Sequence, residues 1–401
     1  MRHASISAIC QCLFMVVLVL GLALVATPRM QAQTLSILYN FTNGSDGGTP
    51  LAGLTSDGKG NFYGTASAGG SGYGTLFKLG PSGSGWSLSP VYSFASGADG
   101  ATPTARLQAR PGSIFYGTTS LGGSSGAGTV YKVSGSGESV IYTFLGGSDG
   151  AQPSPGDLVF DRGGNIYGTT SAGGANGNGT VFELVHGKKG TWKEKLLYSF
   201  GQGTDGTVPV GGVTFGSSKT LYGTTSTGGT YGYGTVYQLK RSGTTWTETV
   251  LYNFQDGNDG GSPYAGVILD KSGNLYGATV SGGSGSGGTV FELSPGQGGW
   301  TYTVLYSWPG WALSASFRNL FMDASGNLYG TTHCDGWGYG TVFELSPSNG
   351  TWTNTLLYNF TGGSGGYNLF SNLILDTQGN LYGTTSAGGA YGYGIVFEVT
   401  P

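Results

Sequence analysis

Residues 333–337 read HCDGW, so that an imidazole, a thiol, a carboxylate and an indole occur within five positions. A segment upstream, WPGWALSASFRN at 308–319, supplies two further indoles and a guanidinium. Flat aromatic rings cover the C–H faces of a sugar or of a peptide side chain, while polar atoms fix its orientation. We therefore predict a site for a carbohydrate or peptide ligand, formed by Trp311, Arg318, His333, Asp335, Trp337, Tyr339 and Tyr367.

This group of residues does not match a catalytic or metal centre. His333 and Cys334 supply two donors, whereas a zinc site takes four. A hydrolase needs a positioned base, a nucleophile or paired carboxylates, and the sequence contains no HExxH, no GxSxG and no cluster of histidines. We expect no catalytic residues, no bound metal and no cofactor. The alternative to a ligand site is a loop that has diverged, with Trp308 merely replacing a core phenylalanine.

A second set of carboxylates recurs in Asp-Gly pairs, each followed closely by a proline. These carboxylates could form a ring for a cation or for sugar hydroxyls, but Ca²⁺ takes 6–8 oxygen ligands and each copy offers one Asp. Asp also accepts hydrogen bonds from nearby backbone N–H groups, Gly adopts the left-handed conformation and Pro stiffens the chain. We favour a turn at each of Asp46, Asp99, Asp149, Asp205 and Asp259.

A third motif, DxxGN, recurs with similar regularity. It resembles an EF-hand loop only superficially, because the spaced carboxylates and the closing Glu are missing. We interpret it as a hairpin turn. The copies start at Asp57, Asp161, Asp270, Asp323 and Asp376.

The elements that carry these motifs form seven repeats. A recurrent Tyr-Gly pair is spaced by 53, 51, 55, 54, 53 and 53 residues, at Tyr63, Tyr116, Tyr167, Tyr222, Tyr276, Tyr329 and Tyr382. Each unit contains four short β-rich runs that end in Gly, Ser, Asn or Pro, such as VILD, LYGAT, GTVFEL and WTYTVLYSW within 267–308. A period near 50 residues with strand-like content is typical of a propeller blade. We predict an all-β fold, a seven-bladed β-propeller of four-stranded antiparallel blades.

We name the strands of a blade a to d, from the central axis outward. LSILYNF at 35–41 matches strand d, whereas IVFEV at 395–399 matches strand c of the last repeat. We therefore expect the N-terminal strand to complete the last blade and close the ring, which removes free sheet edges. The b–c and d–a loops then share one face, here called the upper face, where the predicted ligand site lies.

Strand a would line the central channel. The residues just before its apolar core would point at the channel mouth, where polar side chains could bind a ligand or bridge neighbouring blades around water. They are Gly53, Arg106, Asp157, Gly212, Gly266, Asn319 and Asn372.

Composition and charge restrict the partners. Glycine accounts for 81 of 401 residues, at fixed turn positions that let seven b–c loops crowd onto one face. The net charge is −3 and there is no basic stripe, so we expect no binding to nucleic acid. We expect a monomer.

The N-terminal segment predicts export. After Arg2 and His3, the run LFMVVLVLGLALVA at 13–26 has the length of a secretory signal and is too short for a comfortable membrane span. We predict a signal peptide over residues 1–33, cleaved between about 26 and 33, and a propeller over 34–401. After cleavage only Cys334 remains, so no intramolecular disulfide forms and no membrane span is left. The expected location is secreted or periplasmic.

The repeat units resemble a known family. The segment YNFQDGNDGGSPYAGVILDKSGNLYGATVSGGSGSGGTVFEL (252–293) is similar to the Gloeo/Verruco tandem repeat of secreted bacterial β-propeller proteins, and the resemblance covers about residues 37–399. It implies an exported repeat protein and no established enzymatic activity. Family members often carry a C-terminal sorting anchor, and because the sequence ends at Pro401 without one, we expect a released or periplasmic form.

Together these features predict an exported, non-catalytic binding or scaffold module. Two alternatives stay open: a carbohydrate-active enzyme such as a lyase or glycosidase, by analogy with other propellers, and a purely structural surface protein. A polysaccharide screen separates the three. Binding without turnover favours the module, and product release favours the enzyme. Absence of both binding and product release favours the structural protein.

Overall fold

A computed structural model of the chain describes residues 33–135, 137–309, 320–333 and 338–400. The predicted signal peptide lies outside these residues, except for Gln33. Gln33–Pro401 forms one compact unit. Within the described ranges, no helix has the length and apolar character needed to cross a membrane.

The described residues form seven antiparallel sheets, one per repeat, which confirms the predicted seven-bladed β-propeller. Strand a is short, mostly two residues, and strand b follows it across the DxxGN turn or its equivalent. The a strands are Thr55–Ser56, Gln108–Arg110, Val159–Phe160, Val213–Ser217, Ile268–Leu269, Phe321–Met322 and Ile374–Leu375. The b strands are Phe62–Ala66, Ile114–Leu121, Ile166–Ala172, Thr220–Thr225, Leu275–Ala278, Leu328–Thr332 and Leu381–Thr385.

The two outer strands of each blade are longer. The c strands are Thr75–Ser82, Thr129–Ser134, Thr180–His186, Thr235–Ser242, Thr289–Gly296, Thr341–Ser348 and Ile395–Thr400. The d strands are Gly85–Ser93, Gly137–Thr143, Trp192–Ser199, Thr245–Asn253, Gly299–Ser307, Thr351–Asn359 and, in blade 7, Thr34–Asn40. Blades 2 and 3 differ from the prediction by a fifth short strand, Ala101–Pro103 and Ala151–Pro153, which extends the pairing with strand b. Lys188–Gly190 and Gly363–Gly365 form short 3-10 turns.

The ring closes as predicted. Thr34–Asn40 pairs antiparallel with strand c of the last blade, with Leu35 opposite Val399 and Ile37 opposite Phe397. The apolar core consists of seven clusters, one between each pair of adjacent blades. One of them joins Phe41 and Val396 of blade 7 to Leu54 of blade 1. This junction between the last and the first blade, here called the seam, is therefore packed like the other interfaces.

The two turn motifs have the local roles that the sequence predicts. Asp99 accepts hydrogen bonds from the N–H groups of Ala95 (2.7 Å) and Gly97 (3.1 Å) and from the hydroxyl of Tyr92 (3.0 Å). The other Asp-Gly carboxylates are engaged in the same way, at Asp46, Asp149, Asp205 and Asp259. These side chains fix the d–a loop and bind its own backbone, which supports the turn interpretation over a ring of cation ligands.

The DxxGN segments are hairpin turns. Asp270 accepts hydrogen bonds from the backbone N–H of Asn274 at 2.8 Å and from its side-chain amide at 3.0 Å. The same Asp–Asn pairing holds the turns that start at Asp57, Asp161, Asp323 and Asp376. The a–b and c–d turns define the lower face, opposite the b–c and d–a loops.

Candidate functional site

The upper face between blades 6 and 7 contains the described part of the predicted ligand site. His333, Tyr339 and Tyr367 are described, whereas Trp311, Arg318, Asp335 and Trp337 lie outside the described residues. For those four, a role in binding stays a prediction.

Tyr339 and Tyr367 come from different blades and meet at this position. Tyr339 belongs to the b–c loop of blade 6, and Tyr367 to the d–a loop that leads into blade 7. Their ring centroids are 5.9 Å apart with an interplanar angle of 72°, an edge-to-face pair. The Tyr339 ring also lies directly over Gly362, where a Cβ atom would come within 2.4 Å of it. Tyr339 is 40% exposed, so part of its side chain faces solvent although it packs on Gly362 and Tyr367.

His333 begins the same b–c loop and stacks on a neighbouring ring. Its imidazole centroid lies 4.3 Å from that of Phe370, with the planes tilted by 32°. Partial burial lowers the pKa of His333, because desolvation disfavours the charged imidazolium. At neutral pH its imidazole is therefore neutral, with one ring nitrogen that donates and one that accepts.

Trp308 is not part of a ligand site. Its side chain is 5% exposed and packs edge-to-face on Tyr306 at 4.8 Å and on Phe343 at 4.9 Å. It therefore occupies the core position that a phenylalanine fills in the other blades, as the more conservative interpretation of the sequence predicts.

A larger feature of the upper face is an arc of exposed tyrosines. All tyrosines among the strongly exposed apolar side chains of the described residues lie in upper-face loops, none on the lower face or the outer strands: Tyr73, Tyr231, Tyr233, Tyr264, Tyr339, Tyr391 and Tyr393. They belong to blades 4 to 7 and blade 1, so the arc runs through the predicted site. Of these tyrosines, the sequence analysis assigned only Tyr339 to the site. The repeated motif YGYG at 231–234 and 391–394 could have indicated the others.

The loops that carry these tyrosines are fixed by the next blade. The carbonyl of Tyr73 accepts a hydrogen bond from Thr102 N–H at 2.9 Å, and that of Tyr393 accepts one from Thr49 at 2.8 Å. The following glycine packs on the proline of the neighbouring d–a loop: at Gly74, with φ +100°, a Cβ atom would lie 2.6 Å from the Pro103 ring. A side chain larger than hydrogen would separate the blades at this point.

The central channel holds a partly buried ion pair between two blades. The Arg106 guanidinium of blade 2 bonds to the Asp157 carboxylate of blade 3 at 2.5 Å. The pair lines a cavity of about 380 Å³, together with Asn372 and apolar residues of strand a. Of the two roles considered for these polar positions, bridging between blades is the one observed for Arg106 and Asp157.

Within the described ranges, no group of three or more His, Cys, Asp or Glu side chains could hold a metal ion. The Asp-Gly carboxylates of the upper face are occupied by their own turns, as described above. The chemistry that the described upper face offers is therefore aromatic stacking and hydrogen bonding from hydroxyl and backbone groups.

Two examples represent the solved structures that are similar to this chain. A proposed oxidoreductase (glucose dehydrogenase) from Thermus thermophilus is 17% identical with a TM-score of 0.46; 74% of this chain and 96% of that chain are covered. Puromycin hydrolase is 12% identical with a TM-score of 0.54; 87% of this chain and 52% of that chain are covered. At such low identities the likeness concerns the fold alone.

No curated protein matches the chain. The sequence profile of the Gloeobacter/Verrucomicrobia repeat matches residues 25–214 and 154–397, which together span nearly all of the propeller and all seven Tyr-Gly pairs. The chain belongs to the Gloeobacter/Verrucomicrobia repeat family.

Proposed function

We propose that this protein is an exported, non-catalytic binding module whose upper face holds an uncharged carbohydrate polymer. The observation that carries the proposal is the arc of exposed tyrosines from blade 4 to blade 1. Large apolar side chains exposed together on one face mark an interaction site, since isolated ones are scattered over ordinary surfaces. Here every strongly exposed tyrosine of the described residues is on one face.

The chemistry of the arc favours sugars. A tyrosine ring covers the C–H face of a pyranose, while its hydroxyl bonds to a sugar hydroxyl at the ring edge. The loops between these tyrosines, SAGGSGYG at 67–74, STGGTYGYG at 226–234 and SAGGAYGYG at 386–394, carry no charged residue. An uncharged polymer meets no unpaired charge on such a surface. The small residues leave space for a chain to pass from one ring to the next.

A binding role without catalysis is supported by the state of the acidic groups. Glycoside hydrolysis requires two carboxyl groups that face a common bond. The upper-face carboxylates Asp99 and Asp259 are each held by backbone N–H groups and a tyrosine hydroxyl of their own turn. Both carboxylates are committed to the structure of their own loops.

The test is a screen of neutral polysaccharides with purified protein, followed by affinity measurements on two pairs of substitutions. We expect Tyr391→Ala/Tyr393→Ala and Tyr231→Ala/Tyr233→Ala each to weaken binding about tenfold, because each removes two stacking rings of about 0.5–1.5 kcal/mol. The melting temperature should stay within about 2 °C, since loop side chains contribute little to the core.

The matched control is Leu121→Ala/Leu145→Ala, which removes two equally exposed apolar side chains from the same face outside the arc. It should leave affinity unchanged. Release of shorter saccharides would show an enzyme and overturn the non-catalytic part of the proposal. Full affinity in both tyrosine variants would place the ligand elsewhere.

A further inference from the structure

A wide cleft opens on the lower face between blades 3 and 4. Its volume is about 890 Å³, and it is lined by the a–b turns of both blades and the c–d turn of blade 4. Three aromatic rings, Phe160, Tyr167 and Phe215, form its wall, with Tyr167 and Phe215 in edge-to-face contact at 5.0 Å. The equivalent cleft between blades 1 and 2 has a volume of only about 300 Å³.

The rim of this cleft is cationic. Arg162, Lys219 and Arg241 line it, and none of them forms an ion pair with an acidic group of the described residues. Asp161 is the one acidic lining residue, and its carboxylate already accepts hydrogen bonds from the backbone and side chain of Asn165. The Arg241 side chain donates through Nε to the Gly243 carbonyl at 3.0 Å, which fixes its guanidinium at the rim.

The cleft is the centre of a larger basic area. The chain has 17 Lys and Arg residues, of which Arg2 and Arg29 precede the propeller, leaving 15. Eight of these 15 fall within residues 162–241, and besides the three rim residues they are Lys188, Lys189, Lys193, Lys195 and Lys240. Lys195 is ion-paired with Glu183 at 3.7 Å. More than half of the basic residues of the propeller therefore belong to the part of the chain that forms blades 3 and 4.

We propose that this cleft binds an acidic polysaccharide, through carboxylate or sulfate groups on its sugar rings. Arg binds such oxyanions in a bidentate manner and Lys binds them as a point charge. The sugar rings would lie against Phe215, which is partly exposed in the wall, since the Arg110 guanidinium already lies over the Phe160 ring at 4.7 Å. Cations outside the cleft, such as Lys189 and Lys240, would meet further anionic groups along the same chain. This site is separate from the tyrosine arc, which lies on the opposite face.

The test measures binding of polygalacturonate, which carries carboxylates, and of dextran sulfate, which carries sulfates, with uncharged dextran and a single-stranded oligothymidylate as comparisons. Binding of either acidic polysaccharide, weakened by rising salt because of screening, is the expected result. Arg162→Gln/Lys219→Gln should lower that affinity about tenfold or more. Both side chains are exposed and neither donates a side-chain hydrogen bond to a described residue, so the melting temperature should not change.

The matched control is Lys59→Gln/Lys271→Gln, which removes the same number of charges from exposed positions in the equivalent turns of blades 1 and 5. It should leave the affinity within about twofold. Arg241→Lys keeps the charge and loses the bidentate geometry, so we expect an intermediate loss. The Tyr391→Ala/Tyr393→Ala variant should bind the acidic probes normally.

Three results would overturn the proposal. The first is failure of both acidic polysaccharides to bind. The second is an equal loss in the control variant, which would indicate an effect of net charge alone. The third is oligothymidylate binding as tightly as the polysaccharides, which would indicate a surface for any polyanion.

Discussion

At the scale of single residues, one recurrent glycine of each blade is required by packing rather than by backbone conformation. In every blade, the glycine of the Tyr-Gly pair lies against an aromatic ring of strand c. A Cβ atom at Gly277 would lie 2.5 Å from Cζ of Phe291, and one at Gly64 would lie equally close to Phe77. The backbone of Gly277 does not have positive φ, so another residue could adopt it. The ring excludes other residues there, and the same contact recurs seven times around the propeller.

This contact predicts the effect of adding a methyl group. Gly277→Ala should lower the free energy of unfolding by about 1–3 kcal/mol, since an overpacked core must displace its neighbours. Gly298→Ala is the control: this glycine has no atom within 4 Å of a Cβ position and no positive φ, so its cost should stay below about 0.5 kcal/mol. Urea unfolding measures both. In Gly277→Ala/Phe291→Leu, the smaller side chain should recover part of the loss, and no recovery would show that the ring is not the cause.

The sequence predicts the local turn chemistry well and the exposure of side chains poorly. The roles of Asp99 and Asp270 follow from hydrogen bonds within four residues, which the motifs themselves imply. A tyrosine of the Tyr-Gly pair and a tyrosine of a b–c loop look alike in the sequence, yet Tyr276 is 6% exposed and Tyr391 is 61% exposed. Which of them faces solvent depends on the neighbouring blade.

At the scale of elements, strand d contains an acidic position that faces the preceding blade. Glu138, Glu194 and Glu248 each stand four residues before the tyrosine of strand d, in blades 2, 3 and 4. Burial raises the pKa of each to about 7, and the preceding Asp-Gly carboxylates add to the effect by repulsion. One carboxyl oxygen of each is buried without a hydrogen-bond partner, as suits a group that is not fully ionised.

These three residues should make stability depend on pH. Their pKa in the folded protein, about 7, lies above the ordinary value of 4.5, so the folded state retains protons that the unfolded state has released between these values. Their contribution is therefore complete below pH 4.5 and is lost as the pH rises through 7. We expect Glu138→Gln/Glu194→Gln/Glu248→Gln to be more stable than the wild type at pH 8, by on the order of 1 kcal/mol per half-buried site.

At pH 4 the two proteins should be nearly equal in stability, because these carboxyl groups are then largely protonated in both the folded and the unfolded state, and glutamine resembles the protonated acid. Denaturant unfolding at the two pH values measures the difference. A triple variant that is less stable than the wild type at pH 8 would show that the ionised carboxylates stabilise the interfaces and would contradict the assignment.

Strands and turns of single blades were predictable because their signals lie within about ten residues. The lower-face cleft was not, because its lining comes from residues 160–167, 215–219 and 241–243 in two blades. The net charge of the whole chain, −3, also gave no indication of the cleft, because it does not show where along the chain the basic residues are concentrated. A scan of charge by turn position within the repeat would have found DRGG, GSSK and KRSG together.

At the scale of the whole molecule, the ring is closed because the two ends of the propeller share one sheet. Strand d of blade 7 comes from Thr34–Asn40 and strand c from Ile395–Thr400, more than 350 residues apart. The predicted signal cleavage between about 26 and 33 would leave this strand whole. The seven interfaces are alike in composition, so the seam is held by the same aliphatic and aromatic contacts as the others.

Deletion of residues 33–41 therefore tests the closure directly. The deletion uncovers the backbone of strand c in blade 7 and removes Phe41, which is fully buried. An unpaired edge strand pairs with other chains, so we expect a lower melting temperature together with self-association at micromolar concentration, measured by sedimentation. Phe41→Ala and Phe94→Ala, at the same position of blades 7 and 1, should each cost about 3–5 kcal/mol as buried-ring deletions, but both should stay monomeric because the strand itself remains. A synthetic peptide with the sequence of residues 33–42 should bind the deleted protein and restore the association state of the wild type. If the deleted protein is monomeric and melts like the wild type, the N-terminal strand is not what holds the ring shut.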